Sequence, residues 1–550
     1  VKFIAFDTET TGLKWYKDEI FGMSWCMNSN DAQFKLIEDI DPSWLRALLN
    51  SNENFCWHNA KFDLHFLKRL GYPIPKNNHD TMLMSSLINE NGSHHLQDVA
   101  VRYLNIPKWK DGVKEYVKKH NCTYKEVPHN TMKEYAANDA LETRQIANVL
   151  HPLLEKEGVK ELYDFEMLLL KDMLEIEETG FNIDTKLLDS LSKQLKEDKI
   201  KWSVEVYKQA GQTFNIDSDD ELADILYNKL KLEIQGYTPK DHKPKVDIYA
   251  LEKIDHPIIQ AILEFRTASK MRSTYCDNMN NFMDSNNILH TNFKQHGTVT
   301  GRFSCAEPNM QNIPKDHAVR QLFICRPDYY MFSFDYMQEE MRLYAHYAND
   351  EHMMNLFSNN VDVYYEMAKI YYNRDNIEKS ERDFIKGLTL AILYGIGANG
   401  ISKKYRITIN KAWDIKNHYN RKFPLMKKFA YKITNQVKGD GFIKNVFGRK
   451  RRLRPDNAYK GMNALVQGTG GDIIKRSIHR VHKLLNYSKS HILNCIHDDL
   501  MVEIHKSELD LIPEIKKIME DFPQFNVKLP VDIRYSKTNW RNLKRWKICL

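Results

Sequence analysis

No run of 18 apolar residues free of charge occurs in this chain, so no segment reads as a membrane-spanning helix, which needs about 20. CxxC pairs are missing as well: Cys26, Cys56, Cys122, Cys276, Cys305, Cys325, Cys495 and Cys549 stand apart. That spacing predicts neither structural zinc nor a disulfide framework and fits a reducing, intracellular setting. Glycine (22) and proline (17) are few among 550 residues, and 42% of the chain is hydrophobic, which excludes collagen-like and disordered chains. No internal repeat or low-complexity tract is present. Val1 to Asp7 read as a strand rather than a signal peptide, and with no initiator methionine a longer natural chain is expected.

The length predicts two or more domains. Eighty Lys and Arg against 73 Asp and Glu give a net charge of +7, weak evidence for a polyanionic partner because solvated basic faces are common. Placement says more. Lys444, Arg449, Lys450, Arg451, Arg452 and Arg454 crowd around Val446-Phe447-Gly448, a run open to phosphate contact, to a localisation signal or to a solvated loop.

The first 150 residues alternate strand-like segments (Phe3–Phe6, Phe21–Cys26, Phe55–Trp57) with helical ones (Ala60–Leu70, Thr131–His151), the pattern of an α/β domain. From Glu155 to about Met283 the chain reads as helical and highly charged, continuing through Val204, Ala210–Phe214 and Leu222–Leu230, with a loop over Gln235–Lys245. Strands return at Leu289–Phe293, Met331–Asp335 and His491–Ile496, with a long helical stretch, Tyr364 to Lys428, between them.

Asp7 and Glu9 sit two apart at the end of an apolar strand, so both carboxylates share a face. Asp63 lies on the helix after the strand ending at Trp57, and Tyr135 and Asp139, four apart, share a helical face. Four acids brought together repel unless a cation neutralises them, and hard oxygen ligands select magnesium or manganese. Two such ions about 3.5–4 Å apart stabilise both the attacking and leaving oxygens of a phosphodiester. A single DxE is a common surface accident. In this order, however, the set resembles the DEDD-type 3′–5′ proofreading exonucleases with a tyrosine in the third motif. The resemblance implies that Asp7, Glu9, Asp63 and Asp139 hold two divalent metals, that Tyr135 positions the attacking water, and that Asn59 and Phe62 lie near single-stranded DNA.

Further on, Met331 to Asp335 is a strand ending in an acid, and Ile492–Ile496, His497-Asp498-Asp499 and Leu500–Ile504 read as a hairpin with acids at its turn. One aspartate from each strand end could bridge two magnesium ions for phosphoryl transfer, although HDD alone is an ordinary polar turn. Arg382, Lys386, Leu390 and Tyr394, spaced four apart, form one helical stripe. A bland amphipathic helix shows the same spacing; the functional reading is a triphosphate on the two cations and a base near Tyr394.

Taken in order, Thr300-Gly301-Arg302-Phe303-Ser304, Pro308 to Pro314, Asp335-Tyr336 through Arg342, Arg382 to Gly395, Val466-Gln467-Gly468-Thr469 and His497-Asp498-Asp499 resemble the motifs of family A DNA polymerases, Klenow-fragment-like and of phage type. Glu178-Thr179-Gly180-Phe181 and Lys270 to Tyr275 extend the likeness over essentially the whole chain. It implies an RNase H-like mixed-sheet exonuclease domain over residues 1–150 and an α+β right-hand polymerase domain over 151–550. Within the latter, the thumb is expected at about 165–285, the palm at about 286–349 and 456–550, and the fingers at about 350–455. No 5′-nuclease domain is expected ahead of Val1. Asp335 and Asp498 would bind the catalytic metals with the Tyr336 carbonyl, and Asp499 would be the more peripheral acid. Arg382, Lys386, Leu390, Tyr394, Tyr336, Gln338 and Glu340 would surround the nucleotide. Arg302 and Gln467 would read minor-groove acceptors common to all correct pairs. Asn309, Gln311, Asn312, Asn463, His497 and Lys270 would touch primer or template, and the basic run ending at Arg454 the DNA backbone.

Departures from the pattern are Met337 and Glu339 in place of Ser and Ile, Leu390 in place of Phe or Tyr, Asp499 in place of Glu, and Tyr364 in place of His. The expected protein is a proofreading DNA polymerase of a phage, monomeric, acting on primer–template DNA, dNTPs and single-stranded 3′ ends. A helicase, primase or processivity factor would be its partner, and host cytoplasm or an organelle its location. A single-subunit RNA polymerase is disfavoured by Glu340, which in the family pattern packs under the sugar. A DNA-binding protein with a dead palm is disfavoured by the intact Asp335 and Asp498.

Overall fold

The computed structural model describes residues 1–28, 31–108, 112–314, 317–359, 361–405 and 407–546. The chain begins as a five-stranded mixed sheet ordered Ala32–Leu36, Ile20–Cys26, Phe3–Thr10, Asn54–Trp57, Asn77–Asp80. The first three strands pair antiparallel and the last three parallel. Every residue of Ile20–Cys26 is buried, as expected for a strand covered on both faces. The helix Ala60–Arg69 links the parallel pair Asn54–Trp57 and Asn77–Asp80, the crossover that parallel strands require. The long helix His129–Lys156 packs across the sheet and crosses residue 150. Sequence pattern missed Ala32–Leu36 and Asn77–Asp80; the latter, Asn-Asn-His-Asp, has no apolar residue to create a period.

The helix Lys160–Thr179 is buried along much of its length and joins this unit to the rest. Beyond it, Thr185–Ala210 and Pro257–Lys270 pack along each other, and the end of this arm has its own apolar core around Val206, Leu222, Leu226, Ile258 and Ile262. The expected helical run through Ala210–Phe214 is corrected: Gly211, at φ 68, ends the helix. Leu222–Leu230 is covered by Asp219–Ala223 and a π-helical turn, Asp224–Lys229.

A second five-stranded sheet is antiparallel throughout, ordered His491–Ile496, Asp499–His505, Tyr329–Tyr336, Val531–Ser536, Lys544–Arg545. The largely buried helix Gly461–Leu485 packs against it together with Leu511–Glu520. Leu289–Phe293, expected as one strand, is two short ones, Ile288–Leu289 and Asn292–Lys294, in different sheets. The single stretch expected over Tyr364 to Lys428 is five helices: Val363–Tyr372, Lys379–Leu393, Ala398–Tyr405, Ile409–Lys422 and Pro424–Asp440. Left-handed Asn373 (φ 51), Gly395 (φ 85) and the N-terminal proline Pro424 supply the breaks. The seven described cysteines are all unpaired; Cys549 lies outside the described residues. Among the described residues no helix is long and apolar enough to cross a membrane.

Buried ion pairs join the two units. Lys61 binds Glu177 and the Asn292 Oδ1 (3.0 Å), and His65 Nε2 meets Glu177 Oε2 at 2.8 Å. The basic run is spent the same way, which corrects the expectation that it lies along DNA. Arg449 binds Glu166 and Asp472 (2.6 Å), Lys450 binds Glu157 (3.1 Å), Arg451 binds Glu90 (3.0 Å), and Arg452 binds Glu90 (2.9 Å) and Glu157 (2.7 Å). Only Lys444 and Arg454 of that run face solvent without an acid from the first unit or its linking helix.

Glu166 is the hub, fully buried between Arg449 and Lys475 (2.7 Å). Burial alone would raise its carboxyl, but Lys475 and Arg449 outweigh it and hold the group at about 2. Burial also pushes the Lys475 ammonium down despite Glu166, so the cluster is worth less than the Glu166 end alone implies. A depressed carboxyl stabilises the fold above its unfolded value, and the gain is lost as pH falls from about 4.5 to about 2. Glu166→Gln, which leaves two buried cations short of a partner, is expected to cost roughly 3–5 kcal/mol at pH 7 and much less at pH 2. Denaturant midpoints at the two pH values check both the size and the sign.

Candidate active sites

The first site forms where the first sheet meets two helices. Asp7 and Glu9 come from Phe3–Thr10, Asp63 from the first turn of Ala60–Arg69, and Tyr135 and Asp139 from His129–Lys156. Glu9, Asp63 and Asp139 are buried. Asp63 accepts from the Thr8 amide (2.9 Å) and hydroxyl (2.7 Å), which fixes it against the strand bearing the other two acids. Asp80, which sequence reasoning missed, anchors its helix. Its carboxylate accepts from the Asn59 and Ala60 amides (3.3 and 2.9 Å) and from Met82 and Leu83 (2.8 and 3.2 Å) at the head of Thr81–Ile88. Asp-Thr before an apolar run is an N-cap signal that could have revealed it.

Burial, then the charges of Asp63, Glu9 and Asp139, hold the Asp7 carboxyl well above the usual range. Burial raises Asp63 to about 7 against the bonds from Thr8. The structure therefore brings the four acids into one repelling group. Among the described residues no three His, Cys, Asp or Glu side chains are preset to hold a metal ion; the group has the charge for divalent cations but is not closed on a point. Tyr135 and Asp139 line a cleft of about 350 Å³ with Lys108 and Lys114. Asn59 and Phe62 line a neighbouring one of about 290 Å³, and His95 borders both.

The second site lies on the antiparallel sheet. Asp335, near the end of its middle strand, stands in register with Asp499 on one side and Asp532 on the other. Asp498 occupies the turn between His491–Ile496 and Asp499–His505, beside left-handed His497 (φ 60). Burial, then Asp335, raises the Asp498 carboxyl to about 6. Asp499 is drawn aside by the Ser333 hydroxyl (2.8 Å). Asp532, also missed, is held by Arg534 (3.4 Å) and Arg545 (3.2 Å); in sequence it is one polar residue in an alternating strand.

A cleft of about 820 Å³ joins these acids to Arg382, Lys386 and Leu390 from Lys379–Leu393 and to Gln338, Glu339 and Glu340. Arg382 is clamped by Asp362 (2.7 and 3.0 Å), a partner that the spacing of the helix stripe does not reveal, and lies over the Tyr364 ring. The Tyr394 hydroxyl donates to Glu340 and is bonded by Gln467, while Arg302 Nη2 donates to Glu340 at 2.7 Å. Four residues that belong to separate sequence motifs thus form one chain.

Other expected residues divide. The Tyr336 side chain does not face a nucleotide: its hydroxyl meets Ser477 (2.8 Å) and the Met519 carbonyl (2.5 Å) in the core, leaving only its backbone at the cleft. Asn309 caps the turn Met310–Asn312, Gln311 donates to the Cys495 carbonyl (3.2 Å), and the Asn312 carbonyl accepts from Tyr275 (3.0 Å). Asn463 lies one turn before Gln467 on Gly461–Leu485. Lys270 is exposed at the end of Pro257–Lys270.

Residues 185–542 match the family described as DNA polymerase family A, and residues 1–155 match a 3′–5′ exonuclease family. DNA polymerase I of Synechocystis sp. is 28% identical over 98% of this chain and 60% of that protein. DNA polymerase I of Pseudomonas aeruginosa is 27% identical over 98% of this chain and 63% of its own length. The chain thus spans about three fifths of these relatives, and as both are bacterial they lend no support to a phage origin. A solved structure described as the POL domain of Pol1 from M. smegmatis in complex with DNA primer-template and dNTP superposes with a TM-score of 0.86, covering 98% of this chain and 95% of its own, at 24% identity. The fold is therefore Pol I-like, with an exonuclease domain.

A carboxyl raised in the folded state destabilises as pH climbs above its unfolded value of about 3.9 and up to the folded one. Asp7→Asn is therefore expected to stabilise the protein in EDTA at pH 8 and to do so much less at pH 4. Equal effects at both pH values in denaturant titrations would rule out repulsion as the cause.

Proposed function

The chain belongs to DNA polymerase family A, and on that premise we propose that it is a template-directed DNA polymerase with 3′–5′ exonuclease proofreading. The observation that carries this reading is the single cleft in which Asp335 and Asp498 face Arg382 and Lys386, although the acids lie 163 residues apart in the chain (498 − 335). Asp498, raised by burial and then by the charge of Asp335, and Asp335 beside it are the oxygen donors that hard divalent cations fit. Bound at Asp335, Asp498 and the Tyr336 carbonyl, two magnesium or manganese ions would stabilise the attacking primer hydroxyl and the leaving pyrophosphate oxygens. Arg382 and Lys386 bind the triphosphate, with Asp362 giving up Arg382 to it, and Leu390 and Glu340 border the sugar. Arg302, Gln467 and His497 meet the primer–template end.

In the first site Asp7, Glu9, Asp63 and Asp139 hold two further ions, Tyr135 orients water, and Asn59 and Phe62 receive a single-stranded 3′ end. Lys108 and Lys114 beside that cleft add phosphate-binding charge. The substrates are primer–template DNA and dNTPs, and the protein acts as a monomer. Its role is DNA replication, the reading that membership of the family supports.

Asp335→Ala or Asp498→Ala is expected to lower primer extension at least about 10³-fold while DNA affinity, dominated by phosphate contacts, stays. Asp7→Ala with Glu9→Ala is expected to end 3′–5′ degradation of single strands and keep extension. Assays with dNTPs or rNTPs separate this reading from an RNA polymerase, and near-normal extension by either palm variant would refute the cleft assignment.

Leu390 gives a second test. Leucine has no polar atom to replace a missing 3′-hydroxyl, so dideoxynucleotides are expected to be poor substrates. Leu390→Tyr should improve their use relative to dNTPs by roughly 1–3 kcal/mol. An unchanged ratio in an active variant would place Leu390 in packing alone.

A further inference from the structure

Glu339 is an acid of the polymerase cleft to which the chemistry above gives no part. It opens the helix Glu339–Ala348, directly after left-handed Gln338 (φ 55), and lines the cleft with Asp335 and Asp498, yet it is only 3% exposed. Its seat is a notch at Gly470, on the buried helix Gly461–Leu485: a Cβ there would stand 2.6 Å from Glu339 Oε2 and 3.1 Å from its Cδ. The other oxygen, Oε1, is buried with no hydrogen-bond partner, a state that costs stability and calls for a missing partner.

The charges around it say what kind of partner. Asp498, Glu340 and Asp335 repel the carboxylate, and the cation acting against them is Arg302. That guanidinium already donates to Glu340 at 2.7 Å. Three acids and a shared arginine leave the spot short of positive charge.

We propose that Glu339 is a positioning residue of the polymerase centre: from the Gly470 notch its free oxygen accepts a hydrogen bond from water on the divalent ions held by Asp335 and Asp498, and so tightens their binding. This deepens the two-ion reading of the cleft and rests on it. On this proposal the contact runs through water, so that Glu339 acts on the ions' ligands rather than on the ions themselves. Residues that hydrogen-bond a metal's ligands typically change its affinity by about 10–100-fold. An apolar residue at position 339 has no atom for such a bond.

The test is Mn²⁺ binding followed by electron paramagnetic resonance, on the full chain with Asp7 and Glu9 replaced by alanine so that the polymerase centre is read. Glu339→Gln is expected to weaken Mn²⁺ binding about tenfold with the number of ions at saturation unchanged, and Glu339→Asp, which keeps the charge, to recover part of the loss. Gly470→Ala fills the notch without removing the carboxylate. It is expected to weaken binding similarly and to add nothing to Glu339→Gln, as for two changes acting through one contact. A folded Glu339→Gln protein that binds Mn²⁺ like its parent overturns the proposal. Asp335→Ala with Asp498→Ala serves as the reference: if it loses the ions while Glu339→Gln does not, this inference alone fails, and if it keeps them, the two-ion reading fails with it.

Discussion

Repulsion between buried carboxylates is the constraint around which this molecule is built. Asp7 is pushed to higher proton affinity by burial and by Asp63, Glu9 and Asp139 in one unit, and Asp498 and Glu339 by burial and by neighbouring acids, Asp335 among them, in the other. Free side chains would separate. They stay together because each comes from an element fixed by other means: a strand paired on both edges for Asp335, a tight left-handed turn for Asp498, and a helix anchored by Asp80 for Asp63. The scaffold thus holds a concentration of negative charge that divalent cations can relieve.

Positive charge is distributed to match. The excess of +7 is not a uniform coat, and the densest basic run is turned inward, onto Glu90, Glu157 and Glu166. Those pairs, with Lys61 on Glu177, tie the exonuclease unit to the polymerase unit through the helix Lys160–Thr179. The deep pairs on Glu166 and Glu177 are poor stabilisers compared with apolar packing but costly to break singly, so they favour one mutual arrangement of the two sites.

Strong local patterns made much of this legible in the sequence. The apolar strands before Asp7 and Asp335, the helix stripe Arg382–Tyr394 and the hairpin at Asp498 combine period with punctuation, and the family motifs fixed their order. What escaped lacks such a signal. Asn77–Asp80 forms a strand because its backbone completes the edge of a sheet, not because its side chains are apolar. Asp362, Asp80 and Asp532 matter through partners 20 or 21 residues away, or across a strand register, which no linear pattern records. The basic run misled for the same reason: its composition suits phosphate, and only the fold brings three glutamates to it. Tyr336 shows the converse, a residue placed in the right motif whose side chain points into the core.

The polymerase cleft then has a consistent logic of exchange. Arg382 is bound to Asp362, Arg302 to Glu340, and Tyr394 to Glu340. Three of the groups that a phosphate or base would want thus already have an acidic partner, while Lys386 lies over the Tyr364 ring. This keeps guanidinium groups oriented, and it avoids leaving unpaired charges in a partly buried cleft, where desolvation would be expensive. A triphosphate that takes Arg382 must offer more than Asp362 does, and it carries both more charge and a bidentate geometry that arginine matches. On the proposed reading, a substrate that takes Arg382, Arg302 or Tyr394 would therefore replace an internal partner. Glu339 stands outside that pattern because its buried oxygen has no protein partner to give up, which leaves it open to a donor that is not part of the protein.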